Sequence, residues 1–254
     1  MERLIRVENV SQVYQAENGE VKALDGICFF VSKGEFVSIV GPSGCGKSTL
    51  LSIIAGEIAP TSGQVLIGET PVTGISNRVG YMLQKDHLLP WRNIWKNTLL
   101  GLEIRGRLTE DNRKYTLSLL EKYGLWDFRE SYPDQLSGGM RQRAALIRTL
   151  AVQPDVFLLD EAFSALDYQT RLAVTDDVYR ILKQEEKTAL MVTHDISEAV
   201  ALSDRIVVMT RRPGRVKSLH TLDSLWGLSP MERRDHPDFR LYFNDLWKEL
   251  DVHV

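Results

Sequence analysis

A chain of 254 residues that is 43% hydrophobic and 26% charged, with five tryptophans and eight tyrosines, can bury a sizeable core and is excluded from the disordered class. Its 31 basic and 34 acidic side chains leave a net charge of −3, so no overall field draws it to nucleic acid or to an anionic membrane, and no nucleic-acid partner is expected. No apolar run approaches the about eighteen residues of a bilayer crossing, the charge-broken start MERLIRVENV is expected to be neither leader nor anchor, and Cys28 and Cys45 lack metal-ligand spacing and read as reduced cytosolic thiols.

Leu4 to Val10 and Ala23 to Val31 are apolar runs with partial alternation on either side of the polar turn QAENGEV, and read as strands of an antiparallel sheet. Glu35 to Val40 is a further strand that feeds a glycine-rich loop. A helix is expected over Thr49 to Ile58, closed by Pro60 and Gly63, then strands at Val65 to Gly68 and Arg78 to Leu83. From Asn93 to Val152 the pattern turns helical, with Leu117, Leu120 and Tyr123, and again Ala144, Ile147 and Leu150, at helical spacing. Strand character returns at Val156 to Asp160, Ala189 to Val192 and Arg205 to Met209. This alternation predicts an α/β fold with a mostly parallel sheet covered on both faces, the helical stretch being an insertion. Past Pro213 come a strand over Val216 to Leu222 and an amphipathic helix from about Pro237. Its Phe239, Tyr242, Phe243, Leu246, Trp247 and Leu250 share one face, open either to the chain's own core or to a partner.

Gly41, Pro42, Ser43, Gly44, Cys45, Gly46, Lys47, Ser48 and Thr49 spell GPSGCGKST, which fits G-x-x-x-x-G-K-[ST] between a predicted strand and a predicted helix. Glycines let successive N–H groups turn onto a phosphate, the helix start adds positive potential, Lys47 bridges β- and γ-phosphates, and Ser48 ligates Mg²⁺. A glycine turn with a solvated lysine is the competing reading, and the strand and helix context disfavours it. VFLL then delivers Asp160 and Glu161 to the carboxyl end of a buried strand, where ligands bind in open parallel sheets. Side chains alternate along a strand, so the two acids differ in role: Asp160 suits Mg²⁺, and Glu161 suits polarising an attacking water. Gln84 and His194 also follow predicted strands. An amide can ligate Mg²⁺ or orient water, and an imidazole can reach a γ-phosphate; taken singly, either residue would be structural. A second glycine-rich helix start, LSGGMRQR from Leu136 to Arg143, offers Ser137, Gly138 and Gly139 to an anion with no lysine or metal-binding serine beside them. It is half of a phosphate site.

In their order, GPSGCGKST, Gln84, LSGGMRQR, VFLLDE, SALD at Ser164 to Asp167, and Thr193 with His194 resemble the ATP-binding cassette (ABC) ATPases, over residues 1 to about 215. The resemblance implies a P-loop NTPase of RecA-like type, a mostly parallel sheet core with an N-terminal antiparallel β subdomain and an inserted α-helical subdomain. On this chain that means 1–88 and 153–215 for the catalytic core with its β subdomain, 89–152 for the helical signature subdomain, and 216–254 for a C-terminal extension with the amphipathic helix. It further implies ATP and Mg²⁺ as cofactors, Tyr14 stacked on adenine, Gln84 coupling nucleotide to partner, and Asp167 at a dimer interface. Ser137, Gly138 and Gly139 would then complete the nucleotide site of a facing chain in a head-to-tail homodimer. The usual fifth signature residue is Gln; here it is Met140, which donates no side-chain hydrogen bond.

A P-loop kinase would leave LSGG unexplained, and cassette ATPases acting on nucleic acid commonly carry two cassettes or a long coiled-coil insertion. A transporter ATPase subunit is the main reading, with a soluble non-transport cassette or an exporter subunit as the alternative. LLPW near Gln84 and the tail RPGRV resemble the ATPase subunits of nitrate, sulfonate and taurine importers, a group that also includes importers of vitamin-related molecules. That resemblance implies an integral membrane permease, an extracytoplasmic solute-binding protein acting indirectly, and a place in the cytoplasm, peripheral on the cytoplasmic face of the cell membrane. The expected permease dock is the run from Leu88 to Trp95, where Leu88, Leu89, Trp91, Ile94 and Trp95 crowd together. The solute itself touches other subunits and is not encoded here.

Overall fold

The structure, a computed structural model, describes residues 2–16 and 19–250. Two long strands open the chain, β1 (Arg3–Ala16) and β2 (Gly19–Ser32), followed by β3 (Phe36–Val40) and α1 (Lys47–Ala55). Then come β4 (Ser62–Ile67), β5 (Thr70–Pro71) and β6 (Val79–Met82). Three helices follow, α2 (Ile94–Ile104), α3 (Glu110–Lys122) and α4 (Gly138–Ala151). Strands and helices then alternate through β7 (Val156–Asp160), α5 (Tyr168–Gln184), β8 (Thr188–Val192), α6 (Ile196–Leu202) and β9 (Arg205–Met209). The chain ends with β10 (Val216–Thr221), α7 (Pro230–Asp235) and α8 (Pro237–Leu250).

The first two strands run several residues beyond their expected bounds, because register shifts between Val7 and Val13 let β1 bend while it stays paired. The middle of the expected QAENGEV turn lies outside the described residues. Helix α1 begins at Lys47, inside the glycine loop, and ends at Ala55 rather than Ile58. Gly56 stops it in the left-handed conformation (φ 79°), its N–H bonded to the carbonyl of Ile53 at 3.1 Å. In α3 Leu120 is buried, as is Tyr123 just past its end, both on the expected spacing; Leu117 is only half-buried, and Thr116 and Leu119 complete the buried stripe.

Two sheets form. One is antiparallel in the order β2-β1-β4-β5; the other has six strands in the order β10-β9-β3-β8-β7-β6. In the larger sheet β9, β3, β8, β7 and β6 are parallel, and β10 closes one edge antiparallel. Its central strands are apolar on both faces, and the two-residue period sorts them. Val37, Ile39, Val156, Leu158, Leu190 and Val192 pack with α1 and the antiparallel sheet. Phe36, Phe157, Leu159, Ala189 and Met191 face the opposite layer, with α4 and α5. A third cluster joins Val40, Ile206 and Val208 to α6 and α8, where Leu246 is buried. The C-terminal helix therefore packs on its own chain. Trp247, expected on its apolar face, is 52% exposed.

Candidate active site

The order of the larger sheet sets β3 between β8 and β9, so the loops after β3, β7 and β8 leave the same end side by side. Those loops carry Lys47, Asp160 with Glu161, and His194. Gly46, the residue before α1, has φ 100° and no side chain that could cap the helix, which leaves the first amides of α1 to a ligand. A Cβ there would also lie 2.6 Å from Leu24 Cδ2. Lys47 is buried, its ammonium donating to the carbonyls of Gly41 (2.8 Å) and Pro42 (3.1 Å). Cys45 is buried behind the loop, and burial pushes its thiol pKa up. Gly41 is wedged: a Cβ would meet Cys45 Sγ at 2.9 Å.

The two acids part, though not by strand alternation: β7 ends at Asp160, and Glu161 stands in the turn that follows. Asp160 accepts a hydrogen bond from Ser48 Oγ at 3.2 Å and one from Tyr81 Oη at 3.3 Å. No lysine or arginine pairs with it among the described residues, and burial raises its pKa. A half-buried carboxylate with only hydroxyl partners, beside a phosphate loop, has the oxygen donors that suit a hard cation. Ser48 and Asp160 would hold Mg²⁺ together with nucleotide phosphates. Glu161 sits at φ 46°, a left-handed turn rare for a side-chain-bearing residue, with its N–H bonded to the carbonyl of Val192 at 2.9 Å. That turn sends its carboxylate toward His194, whose Nδ1 is 3.3 Å from Glu161 Oε2.

His194 is carried on a braced loop. Thr193 Oγ1 accepts from the Asp195 N–H at 3.0 Å and donates to Glu198, while Asp195 caps α6 through the Glu198 N–H at 3.1 Å. Glu198 is almost fully buried, and burial pushes its pKa up to about 7.

One cleft of about 670 Å³ gathers Tyr14, Ser43, Gly44, Gly46, Lys47, Ser48, Thr49, Glu161 and His194. Tyr14, on β1, is tied to the start of α1 by a 3.5 Å bond from its hydroxyl to Thr49 Oγ1 and keeps 40% of its surface exposed. The remaining expected residues collect elsewhere. Gln84 donates to Ser164 Oγ at 3.0 Å, not to Ser48 or Asp160, and lines a separate cavity of about 340 Å³ with Gly138 and Arg141. Ser137 caps α4, its hydroxyl accepting from the Met140 N–H at 3.3 Å, and a Cβ on Gly139 would lie 3.0 Å from Val174 of α5. Asp167 caps α5 through the Thr170 N–H at 3.1 Å, and these bonds hold its carboxyl below the usual range.

Tyr81, Ala23 and Arg212 belong to the cleft or its acids and were not expected. Tyr81 was readable only as a strand residue. Arg212 was visible as part of RPGRV, but nothing local said where that turn would fold.

The run from Leu88 to Trp95 divides. Leu88 and Ile94 are core residues, Leu89 and Trp95 are half-buried, and Trp91 is 71% exposed. Buried Asn97 fixes the turn, accepting from the Leu89 N–H at 2.7 Å and donating to the carbonyls of Leu89, Arg92 and Asn93. No helix among the described residues is long and apolar enough to cross a membrane.

Comparison with known proteins agrees with this geometry. Residues 24–164 match the family model described as ABC transporter. The chain is 47% identical to the uncharacterized ABC transporter ATP-binding protein YtlC of Bacillus subtilis (strain 168), over 97% of this chain and 95% of that protein. It is 37% identical to the taurine import ATP-binding protein TauB of Roseobacter denitrificans, over 98% of this chain and 86% of that one. Among solved structures, the post-hydrolysis dimer of the ATP-binding cassette MJ0796, bound to ADP and Pi, superposes with a TM-score of 0.72 at 31% identity, covering 86% of this chain and 99% of that chain. With a phosphate loop, Glu161 and the His194 loop converging on one cleft and Asp160 bonded to Ser48 beside it, the chain belongs to the ABC transporter family, as an ATPase.

Proposed function

We propose that this protein is the Mg²⁺-dependent ATPase subunit of an importer for a small solute of the sulfonate type, such as taurine, or a vitamin precursor, and that it works as a homodimer with ATP shared between chains. The observation that carries the shared site is a separation. Lys47, Ser48, Glu161 and His194 line one cleft, while Ser137, Gly138 and Asp167 stand apart from it, on helices whose ends they cap or shape. In a head-to-tail pair the signature segment of one chain would cover the nucleotide of the other.

Tyr14 stacks on adenine, and residues 41–49 wrap the phosphates with backbone N–H groups while Lys47 neutralises β- and γ-oxygens. Mg²⁺, held by Ser48 and Asp160, would supply charge neutralisation on the phosphates. Glu161 takes the proton of the attacking water, and His194, beside it, contacts the γ-phosphate and holds Glu161 in place. Gln84, with Ser164, reports nucleotide state to the partner subunit, a role that its separation from Ser48 favours over metal ligation.

The reading extends to a permease seated on the outward members of the 88–95 run, Leu89 and Trp91, with a solute-binding protein acting through that permease. The subunit would lie in the cytoplasm on the inner face of the cell membrane. Sedimentation of the Glu161→Gln protein with ATP tests the sandwich, and a species that stays monomeric refutes it. Leu89→Ala with Trp91→Ala tests the dock. Solute uptake in vesicles should collapse while basal hydrolysis of the isolated subunit stays within about two-fold of the parent, and undiminished uptake refutes the dock.

A further inference from the structure

We propose that Arg212 is a nucleotide-binding residue, a second cation on the rim of the cleft that meets the phosphates of ATP. The inference rests on the ATP-binding reading above and adds a residue to it. Arg212 lines the cleft with Ser43 and Lys47, its side chain exposed. Its guanidinium has no hydrogen-bonding or ion-pair partner among the described residues, whereas its neighbour Arg215 is bound to Asp25. A planar five-donor cation with no protein acid to satisfy it, facing a cleft for a polyanion, matches bidentate phosphate recognition.

The backbone beneath Arg212 is fixed to the same elements that form the cleft. Gly214 donates to the carbonyl of Ala23 at 2.9 Å, and Asp25 donates to the carbonyl of Gly214 at 2.9 Å, so the turn is stitched onto β2. A Cβ on Gly214 would lie 2.1 Å from the carbonyl oxygen of Cys45, so the turn rests directly on the phosphate loop and residue 214 has to be glycine. Thr210 clasps the turn from within, donating to the carbonyl of Pro213 at 3.2 Å and accepting from the Arg215 N–H at 2.9 Å. Arg212 is thus an exposed charged head on a turn that is hydrogen-bonded to β2 and packed against the loop that carries Lys47. Glu161 is the acid that shares the cleft, and it is engaged with His194.

ATP affinity of the parent, Arg212→Ala, Arg212→Lys and Lys47→Ala, read by fluorescence of a labelled ATP at about 50 mM and about 500 mM NaCl, tests the assignment. Arg212→Ala should bind about ten-fold more weakly at low salt, and the gap should close to about two-fold at high salt, since an exposed ion pair is screened. Arg212→Lys should keep most of the affinity, because charge survives. Parent-like binding by Arg212→Ala at low salt overturns the proposal, as does a loss equally large at both salt concentrations. Parent-like binding by Lys47→Ala would instead sink the ATP-site reading itself. An unchanged melting temperature in Arg212→Ala shows that the loss is local.

Discussion

The chain has two glycine-rich helix starts, and they solve opposite problems. At α1 the preceding residue is Gly46, in a left-handed conformation with no capping side chain, so the helix amides are left for a ligand. At α4 the preceding residue is Ser137, whose hydroxyl already accepts from the Met140 N–H. The first start is built to be completed by an anion. The second has one of its free amides, that of Met140, already capped by its own chain, and its glycines answer to packing as well: Gly138 sits under Leu166 and Gly139 against Val174. Two similar motifs therefore differ in what they lack, and only the first has Lys47, the Ser48–Asp160 pair and Glu161 around it.

The largest effects should fall on the first start. Lys47→Ala should abolish measurable ATP binding, while Glu161→Gln should keep binding and lose about a hundred- to ten-thousand-fold in turnover, as removal of a general base does. Binding and single-turnover hydrolysis of both variants separate the roles. Near-parental turnover in Glu161→Gln would remove it as the base.

At the second start, Ser137→Arg should stop hydrolysis, by about a hundred-fold or more, with ATP binding to the monomer unchanged, because in the proposed pair the nucleotide it would spoil sits on the partner. Equal loss of monomer binding would break the contrast between the two starts. Gly139→Ala is milder. Its methyl would press on Val174, at 3.0 Å, and should cost about 1–2 kcal/mol, a drop of roughly 2–4 °C in Tm per kcal/mol.

The smallest effect concerns acids behind each start. Glu198, which braces the loop of His194, has its pKa pushed up to about 7 from an ordinary 4.5, so the folded chain keeps a proton that the unfolded chain releases between those values. Its contribution to stability is full below about pH 4.5 and is lost as pH rises through about 7. Glu198→Gln cannot ionise, so its Tm should gain on the parent between about pH 5 and pH 8, by about 1 kcal/mol or 2–4 °C. Asp167, near the second start, is held below the usual carboxylate range and stays ionised over that interval. A parent and a Glu198→Gln variant with parallel pH profiles would remove the titrating brace.

What could be read in the sequence was what is local. The spacing of Gly41, Gly46, Lys47 and Ser48 fixes a loop whatever surrounds it, and VFLL ahead of Asp160 already describes a buried strand ending in acids. Tyr14 was placed at the nucleotide only by the family resemblance, and two other residues that arrive from far away could not be read at all. Tyr81 touches Asp160 only because β6 lies beside β7, and Arg212 arrives only because Gly214 seats its turn on Cys45. Exposure was equally hidden. Trp91 and Ile94 are three residues apart and equally apolar, yet one faces out and the other lies in the core, a division that buried Asn97 imposes on the turn. The separation of Gln84 from Ser48 depends on Ser164, eighty residues away.

Helix α4 does more than carry Ser137. Its Arg148 donates to the carbonyls of Asp86 and His87, both at 2.7 Å, its Arg141 pairs with Asp86 at 3.1 Å, and α2 lies so close that a Cβ on Gly101 would come within 2.7 Å of Val152. Asp86 and His87, between Gln84 and Trp91, are bolted to this helix. In the proposed pair the wiring is then crossed: a permease half resting on one chain is levered by the ATP that the opposite chain grips, so a single empty cleft silences the membrane arm of its neighbour.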